Sequence, residues 1–188
     1  MAIAIGWDMY RTALAVLALG AAGISGPAMA EGDWGIVLNG HAVHLNAEKQ
    51  WNEDNWGLGF EKEFNSSARW VATAVATGFK DSMDNPSYMA GASIKRRFRA
   101  PSNHFYFDAG LVGFYMTRHN VNDNAPFPGA LPTMTFGARY LAVNVTYMPG
   151  SAVNDVTTVN AHALDPSITG VFFIQLKLDA WVFRPSHD

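Results

Sequence analysis

Large apolar side chains alternate with small or polar ones along much of this chain, at the period of two that a β-strand imposes. Over Asn55–Phe64, the side chains of Trp56, Leu58, Phe60 and Phe64 share one face, and Asn55, Gly57, Gly59, Glu61 and Glu63 share the other. Phe105–Arg118 sets Phe105, Phe107, Leu111 and Tyr115 against Asp108, Gly110 and Arg118. Leu141–Tyr147 sets Leu141, Val143, Val145 and Tyr147 against Asn144 and Thr146, and Val171–Asp179 sets Phe172, Ile174, Leu176 and Leu178 against Gln175, Lys177 and Asp179. Four further segments follow the rule less strictly: Trp34–Leu45, Arg69–Lys80, Tyr88–Phe98 and Gly129–Tyr140. Eight strands are therefore predicted.

The connections between them are unequal. Asn65-Ser66-Ser67, Ala100-Pro101-Ser102-Asn103 and Ala138–Tyr140 are short turn signals, whereas Asn46–Asp54, Met83–Pro86, His119–Pro128 and Gly150–Thr169 are mostly longer and polar. Short turns at one end and extended loops at the other are the mark of an up-and-down outer-membrane barrel. We expect an all-β fold, an eight-stranded antiparallel up-and-down outer-membrane β-barrel whose interior is filled by side chains or one ligand. A soluble barrel of the lipocalin kind would turn its apolar positions inward. Aromatic bulk on one face, with glycine and charge on the other, favours lipid outside.

The start of the chain reads differently. Arg11 precedes an apolar run, Thr12–Gly26, that leads into Pro27-Ala28-Met29-Ala30, a small-x-small cleavage pattern, so residues 1–30 are expected to be a signal peptide for Sec-type export. The barrel domain then occupies residues 31–188. No later apolar run is long enough for a spanning helix. The chain has no cysteine, which excludes a disulfide framework, a thiolate metal site and a cysteine nucleophile. Thirteen Lys+Arg against sixteen Asp+Glu offer no excess positive charge for a phosphate backbone, so nucleic-acid binding is not expected.

Candidate chemistry is scattered. The six histidines at 41, 44, 104, 119, 162 and 187 have no metal-ligand spacing, so neither a metal nor a cofactor is expected. His41 and His44 are three apart on one strand and face opposite sides, so at most one enters a common interior site. Asp81 and Ser82 follow Phe79-Lys80 and can line one site together only if the strand has already ended. Ser, Asp and His are the residue types of acyl transfer, although no G-x-S-x-G elbow is present. Lys80, Lys95, Arg96, Arg97, Arg99, Arg118 and Arg139 could meet lipid phosphates. They read mostly as rim charges, with Lys95–Arg99 at the short-turn end and Lys80 and Arg118 at the other.

Four motifs, in order, carry a resemblance. Asn52-Glu53…Trp56-Gly57-Leu58-Gly59-Phe60, then Phe79-Lys80-Asp81-Ser82, then Pro126-Phe127-Pro128-Gly129-Ala130-Leu131-Pro132, then Thr146-Tyr147-Met148-Pro149-Gly150 resemble the lipid A palmitoyltransferase family, PagP. The similarity runs from about Asn39 to Lys177. It implies an outer-membrane enzyme that moves a palmitoyl chain from the sn-1 position of a phospholipid to lipid A, with a His, an Asp and a Ser at the outer mouth; a monomer is expected. The Asp and Ser map onto Asp81 and Ser82. His44, at the end of the first strand shortly before Asn52-Glu53, is taken as the histidine, with His41, followed by Ala42 as in the family, as the alternative; the first strand alternates too poorly for parity to decide.

The resemblance also assigns substrate-binding positions. Pro132 and Pro149 flank the sixth and seventh strands and fit the family's lateral opening, since proline removes a ladder donor. At the family's second opening, between the first two strands, Asn39 and Asn55 stand where prolines occur. The floor of the family's acyl well is a glycine, and Ser93 falls at that position, so a chain somewhat shorter than palmitate is expected. Only Glu31–Asp33 precede the first strand, which leaves out the family's leading amphipathic helix. The rival readings are a non-catalytic structural or adhesive barrel, and a lipid A deacylase.

Overall fold

The structure, a computed structural model, describes residues 33–64, 69–101, 105–138, 140–159 and 162–179. The expected signal peptide (1–30), the turns at Asn65-Ser66-Ser67 and Ser102-Asn103, His104, Arg139 and the tail Trp181–Asp188 lie outside them. Eight long strands form: β1 Asp33–Leu45, β2 Asp54–Phe64, β3 Trp70–Lys80, β4 Pro86–Arg99, β5 Phe105–Met116, β6 Phe127–Ala138, β7 Leu141–Pro149 and β8 Gly170–Asp179. Each pairs antiparallel with its sequence neighbour, and β8 returns to β1, closing the barrel. At 9 to 14 residues the strands suit a tilted crossing of a hydrocarbon layer.

The expected faces hold. Trp56, Leu58, Phe60, Phe105, Leu111, Tyr115, Phe136 and Leu141 are exposed on the outer surface, while Asn55, Glu61, Glu63, Asp108, Asn144, Gln175 and Lys177 are buried inside. An outer surface this apolar needs a lipid solvent. Aromatic residues mark both ends of the belt, with Trp56, Tyr88 and Tyr115 near the long loops and Trp34, Trp70, Phe98 and Phe105 near the short turns.

Two expectations need correction. Phe105–Arg118 was expected as one strand, but β5 ends at Met116 and Arg118 forms an isolated bridge with Val121. The segment Gly150–Thr169, expected as a loop, folds into a short helix, α1 (Gly150–Val156), and a two-residue hairpin pairing Thr158–Val159 with His162–Ala163. Pro149, the last residue of β7, is the N-cap of α1, and Val153 is the buried apolar side chain of that helix.

A third correction concerns charge. Lys95 and Arg97 are not rim residues. Both point into the barrel, because positions 93, 95 and 97 share the inward parity of β4. Arg97 makes a bidentate pair with Asp108 (2.8 and 2.7 Å) and a third bond to Glu63 (2.7 Å). Lys177 Nζ lies 2.9 Å from Glu61 and 3.2 Å from Glu63, and Lys95 donates to Thr135 (2.9 Å), which in turn donates to Asn144 (2.7 Å). Three cations thus face three carboxylates, so the lower interior is close to neutral. The guanidinium of Arg97 also lies over the Tyr106 ring at 4.0 Å.

A buried network of this kind tolerates no missing member, since deletion strands the remaining charge in a low-dielectric interior. Asp108→Ala is expected to lower stability by about 3–5 kcal/mol. Denaturant unfolding of the detergent-folded barrel measures this, as a lower midpoint at unchanged slope.

Candidate active site

A single irregularity on β1 decides which histidine reaches the interior. Against β8, pairing runs Asn39↔Gln175 and then His41↔Ile174, so Gly40 is an unpaired bulge residue; against β2 it runs Asn39↔Gly57 and then His41↔Asp54, with Asn55 and Trp56 opposite Gly40. One inserted residue reverses every later side chain. Val37 and Asn39 point inward below the bulge, and Ala42 and His44 point inward above it. His41 is turned outward, half-exposed, 3.8 Å from both Glu53 and Asp54.

His44 is held on two sides by the β1–β2 loop. Its ring stacks on Trp51 at 5.6 Å and 12°. Its Nδ1 lies 3.3 Å from Glu53 Oε1, which also accepts the His44 backbone N–H at 3.2 Å. Those bonds, the backbone one foremost, hold the Glu53 carboxyl below its ordinary value against the opposing effect of burial. Glu53 appeared in the sequence only as part of a motif, and no local pattern joined it to the imidazole.

β3 ends where the paired use of Asp81 and Ser82 requires. The buried Asp81 carboxylate accepts the backbone N–H groups of Met83 (2.8 Å) and Asn85 (3.0 Å) and the Ser87 hydroxyl (3.3 Å). An aspartate that captures amides two and four residues ahead folds the chain into a turn, and Asp84 takes the left-handed conformation (φ 67°) inside it. The turn brings both Asp81 and Ser82 to the cavity. The carboxylate on His44 is therefore Glu53, while Asp81 holds the turn that carries Ser82. Asn52 joins the two parts, donating its backbone N–H to Ser82 O (3.1 Å) and its side-chain amide to Asp81 O (3.2 Å).

Arg118 completes the rim. It is buried and lines the cavity, with its Nη2 3.6 Å from Asp81 Oδ2. Nε and Nη2 make no hydrogen bond among the described residues. Burial pushes its pKa down, and Asp81 only partly restores it. A guanidinium left so poorly paired is suited to receive an anion or a carbonyl oxygen.

Below the rim the cavity is apolar. Phe79, Met89, Val112, Phe114, Met116, Leu131, Met148 and Phe173 form its wall, and Val153 and Val156 of α1 cover part of its mouth. A Cβ at Gly91 would sit 2.4 Å from Gly113 O and 2.8 Å from Phe114 Cβ, so the glycine lets the β5 backbone that carries Phe114 come this close to β4. The floor turns polar at Ser93, whose hydroxyl bonds Thr73 at 2.7 Å, with Lys95, Glu61 and Gln175 around it.

The wall is breached on one side. Pairing of β6 with β7 covers only Thr133–Gly137 against Ala142–Thr146, so Phe127–Pro132 and Tyr147–Pro149 run toward the mouth without a ladder between them. Pro132 sits at the point where pairing stops. Pro149, by contrast, is paired with Gly170 on β8. Between β1 and β2 the ladder is interrupted at Gly40, opposite Asn55 and Trp56, and resumes at His41↔Asp54, so Asn39 is paired with Gly57 while Asn55 has no partner on β1.

Such a fold and cavity define a small membrane-spanning β-barrel with an apolar interior well, capped by an imidazole, a hydroxyl and a guanidinium. Residues 38–160 match the family described as "Antimicrobial peptide resistance and lipid A acylation protein PagP". The chain belongs to that family. It is similar to proteins named lipid A acyltransferase PagP: 29% identical to one from Methylobacillus flagellatus (54% of this chain, 55% of the other) and 33% to one from Legionella longbeachae (66% and 57%). With one from Bordetella pertussis it shares 28% (66% and 71%). The chain thus spans little more than half the length of the first two. Among solved structures, Ail of Yersinia pestis in a phospholipid nanodisc is similar at 9% identity and a TM-score of 0.39, over 79% of this chain and 99% of that one.

The lowered Glu53 pKa carries a pH signature. A carboxyl depressed by folding stabilises its loop in full above its unfolded value near 4.5, and that contribution is lost as pH falls through the folded value. The near-ultraviolet circular dichroism of the folded protein should change as pH is taken below about 4.5, through release of Trp51 from His44. In Glu53→Gln that acid step should be absent.

Proposed function

We propose that this chain is an acyltransferase of the bacterial outer membrane, acting as a monomer, that moves a palmitoyl or slightly shorter chain from the sn-1 position of a phospholipid to lipid A. The observation that carries this reading is the apolar well with His44, Ser82 and Arg118 at its mouth and unpaired strand edges beside it. A fatty tail fits the well lengthwise. Its ester carbonyl would then lie at the rim, and the gap above Thr133 and Thr146 offers a sideways path from the lipid layer.

The chemistry follows from the groups present. With Nδ1 engaged by Glu53, the His44 Nε2 is the nitrogen that takes a proton from the attacking hydroxyl. The oxygen so activated adds to the ester carbonyl. Collapse of the tetrahedral intermediate breaks the sn-1 ester bond, and the leaving alkoxide takes the proton back from His44, giving a lysophospholipid and an acylated acceptor. Ser82 serves either as donor to the developing oxyanion or as transient acyl carrier, and Arg118 meets a phosphate of donor or acceptor. Asp81 acts through the turn it holds.

His44→Ala and Ser82→Ala should each reduce acyl transfer from radiolabelled phosphatidylcholine to lipid A by roughly 10²–10⁴-fold. Activity near wild type in both would remove the site. Release of free fatty acid without gain of a chain on lipid A would indicate a deacylase, and unchanged lipid A under all conditions a non-catalytic barrel.

The Ser93 hydroxymethyl and its bond to Thr73 support a raised floor. Mass spectrometry of lipid A should therefore show Ser93→Gly transferring a longer chain than wild type. Identical selection by the two would defeat the floor assignment.

A further inference from the structure

The β1–β2 loop supplies both groups that touch His44, and its far side is tied to a segment that the family match does not reach. Asp165 lies between the short hairpin and β8, beyond residue 160, where that match ends. It is buried, and its Oδ2 accepts three N–H groups of the β1–β2 loop: the backbones of Glu48 (3.1 Å) and Lys49 (2.9 Å) and the indole Nε1 of Trp51 (3.2 Å). Ser167 donates its hydroxyl to Oδ1. The Ser167 hydroxyl, the Lys49 amide and the Trp51 indole hold the Asp165 carboxyl down to about 2, so it is ionised at any pH used to assay ester transfer.

Neighbouring bonds close the same seam. Thr169 N–H donates to Leu45 O at 3.0 Å, and Asn46 donates its side-chain amide to Thr169 Oγ1 at 3.1 Å. On the opposite side the loop is fastened to the Asp81 turn through Asn52. The loop is thus a strap across the mouth, anchored at Asp165 on one side and at Asp81 and Ser82 on the other. Trp51 lies along the strap, and its indole has two engagements: N–H to Asp165, ring face to His44.

We infer that Asp165 is a positioning residue for the acyl transfer: through the Trp51 indole it fixes the plane and location of the His44 imidazole relative to Ser82. The inference rests on the reading of His44 as the base. Loss of the carboxylate strands three N–H donors at once, so the loop must rearrange to find new acceptors and the stack on His44 shifts with it. Misplacement of a reacting group by about 1 Å costs on the order of 10²-fold in rate.

The test uses the full chain folded in detergent, with phosphatidylcholine as donor and lipid A as acceptor. Asp165→Ala should lower kcat by roughly 10–100-fold while KM for the donor stays within about twofold, because the well and the gap beside it are untouched. Asp165→Asn keeps an acceptor oxygen and should recover most of that loss. Trp51→Phe keeps a ring but breaks the link, and should lower kcat by about tenfold. With Asp165→Ala in the same chain, the combined loss should fall well short of the product of the two.

Wild-type kcat in Asp165→Ala or in Trp51→Phe overturns the inference, and the second result stands even if Asp165→Ala fails to fold. Losses that multiply fully, or that fall on KM, also overturn it, because they describe a mouth that is merely loosened. His44→Ala run in parallel separates the two levels. Full activity there removes the base and the positioning role together, whereas inactivity beside a fully active Asp165→Ala removes the positioning role alone.

Discussion

In hydrocarbon no water is available to backbone N–H and C=O groups, so a sheet survives there only if every strand has two partners. Closure of β8 onto β1 meets that condition here, and the outer face of each strand is then free to be apolar. Where the ladder stops, the constraint is relaxed locally. Above Thr133 and Thr146, β6 and β7 keep their course but lose their pairing, beside a proline that has no N–H to give. The interruption sits level with the apolar part of the interior, toward the mouth. A break at the opposite end would open onto ion pairs.

The same closure divides the interior. Because the outside takes the large apolar residues, polar groups of β2, β4, β5 and β8 are forced inward, where charges persist only if matched. The lower half meets this with Arg97, Lys177 and Lys95 against Glu63, Glu61 and Asp108. The upper half does the opposite, with Phe114, Met116, Leu131 and Val112 lining a hollow. Ser93 and Thr73 lie at the boundary. A flexible aliphatic chain entering from above gains burial until it meets that layer, and further descent would separate paired charges.

At the mouth three acidic residues have separate tasks, set by which donors surround each. Glu53 receives the imidazole and backbone of His44, Asp81 receives the amides of its own turn, and Asp165 receives the N–H groups of the strap. None of the three is interchangeable with another, because a carboxylate saturated by local amides has little left to orient a distant ring. Arg118, by contrast, is buried with Nε and Nη2 making no hydrogen bond among the described residues. Such an imbalance is costly for a buried cation.

Much of the architecture was legible in the residues alone. The two-residue period of Asn55–Phe64 and Val171–Asp179 determined which side chains face lipid, and the contrast of short and long connections determined that the strands run up and down. Asp81 beside Ser82 was readable as a pair only on condition that β3 ends at Lys80, and Asp81 itself imposes that ending through bonds within its own turn. Other features depended on residues far apart in the chain. Parity could not choose between His41 and His44, because the bulge at Gly40 exists only in relation to β8. Lys95 and Arg97 resemble rim charges until Asp108, Glu61 and Glu63 arrive from other strands to neutralise the interior. The Trp51 indole finds Asp165 more than a hundred residues later in the chain. Local sequence sets periodicity and turns, whereas pairing of charges, bulge register and the strap across the mouth are decided by which strands closure makes neighbours.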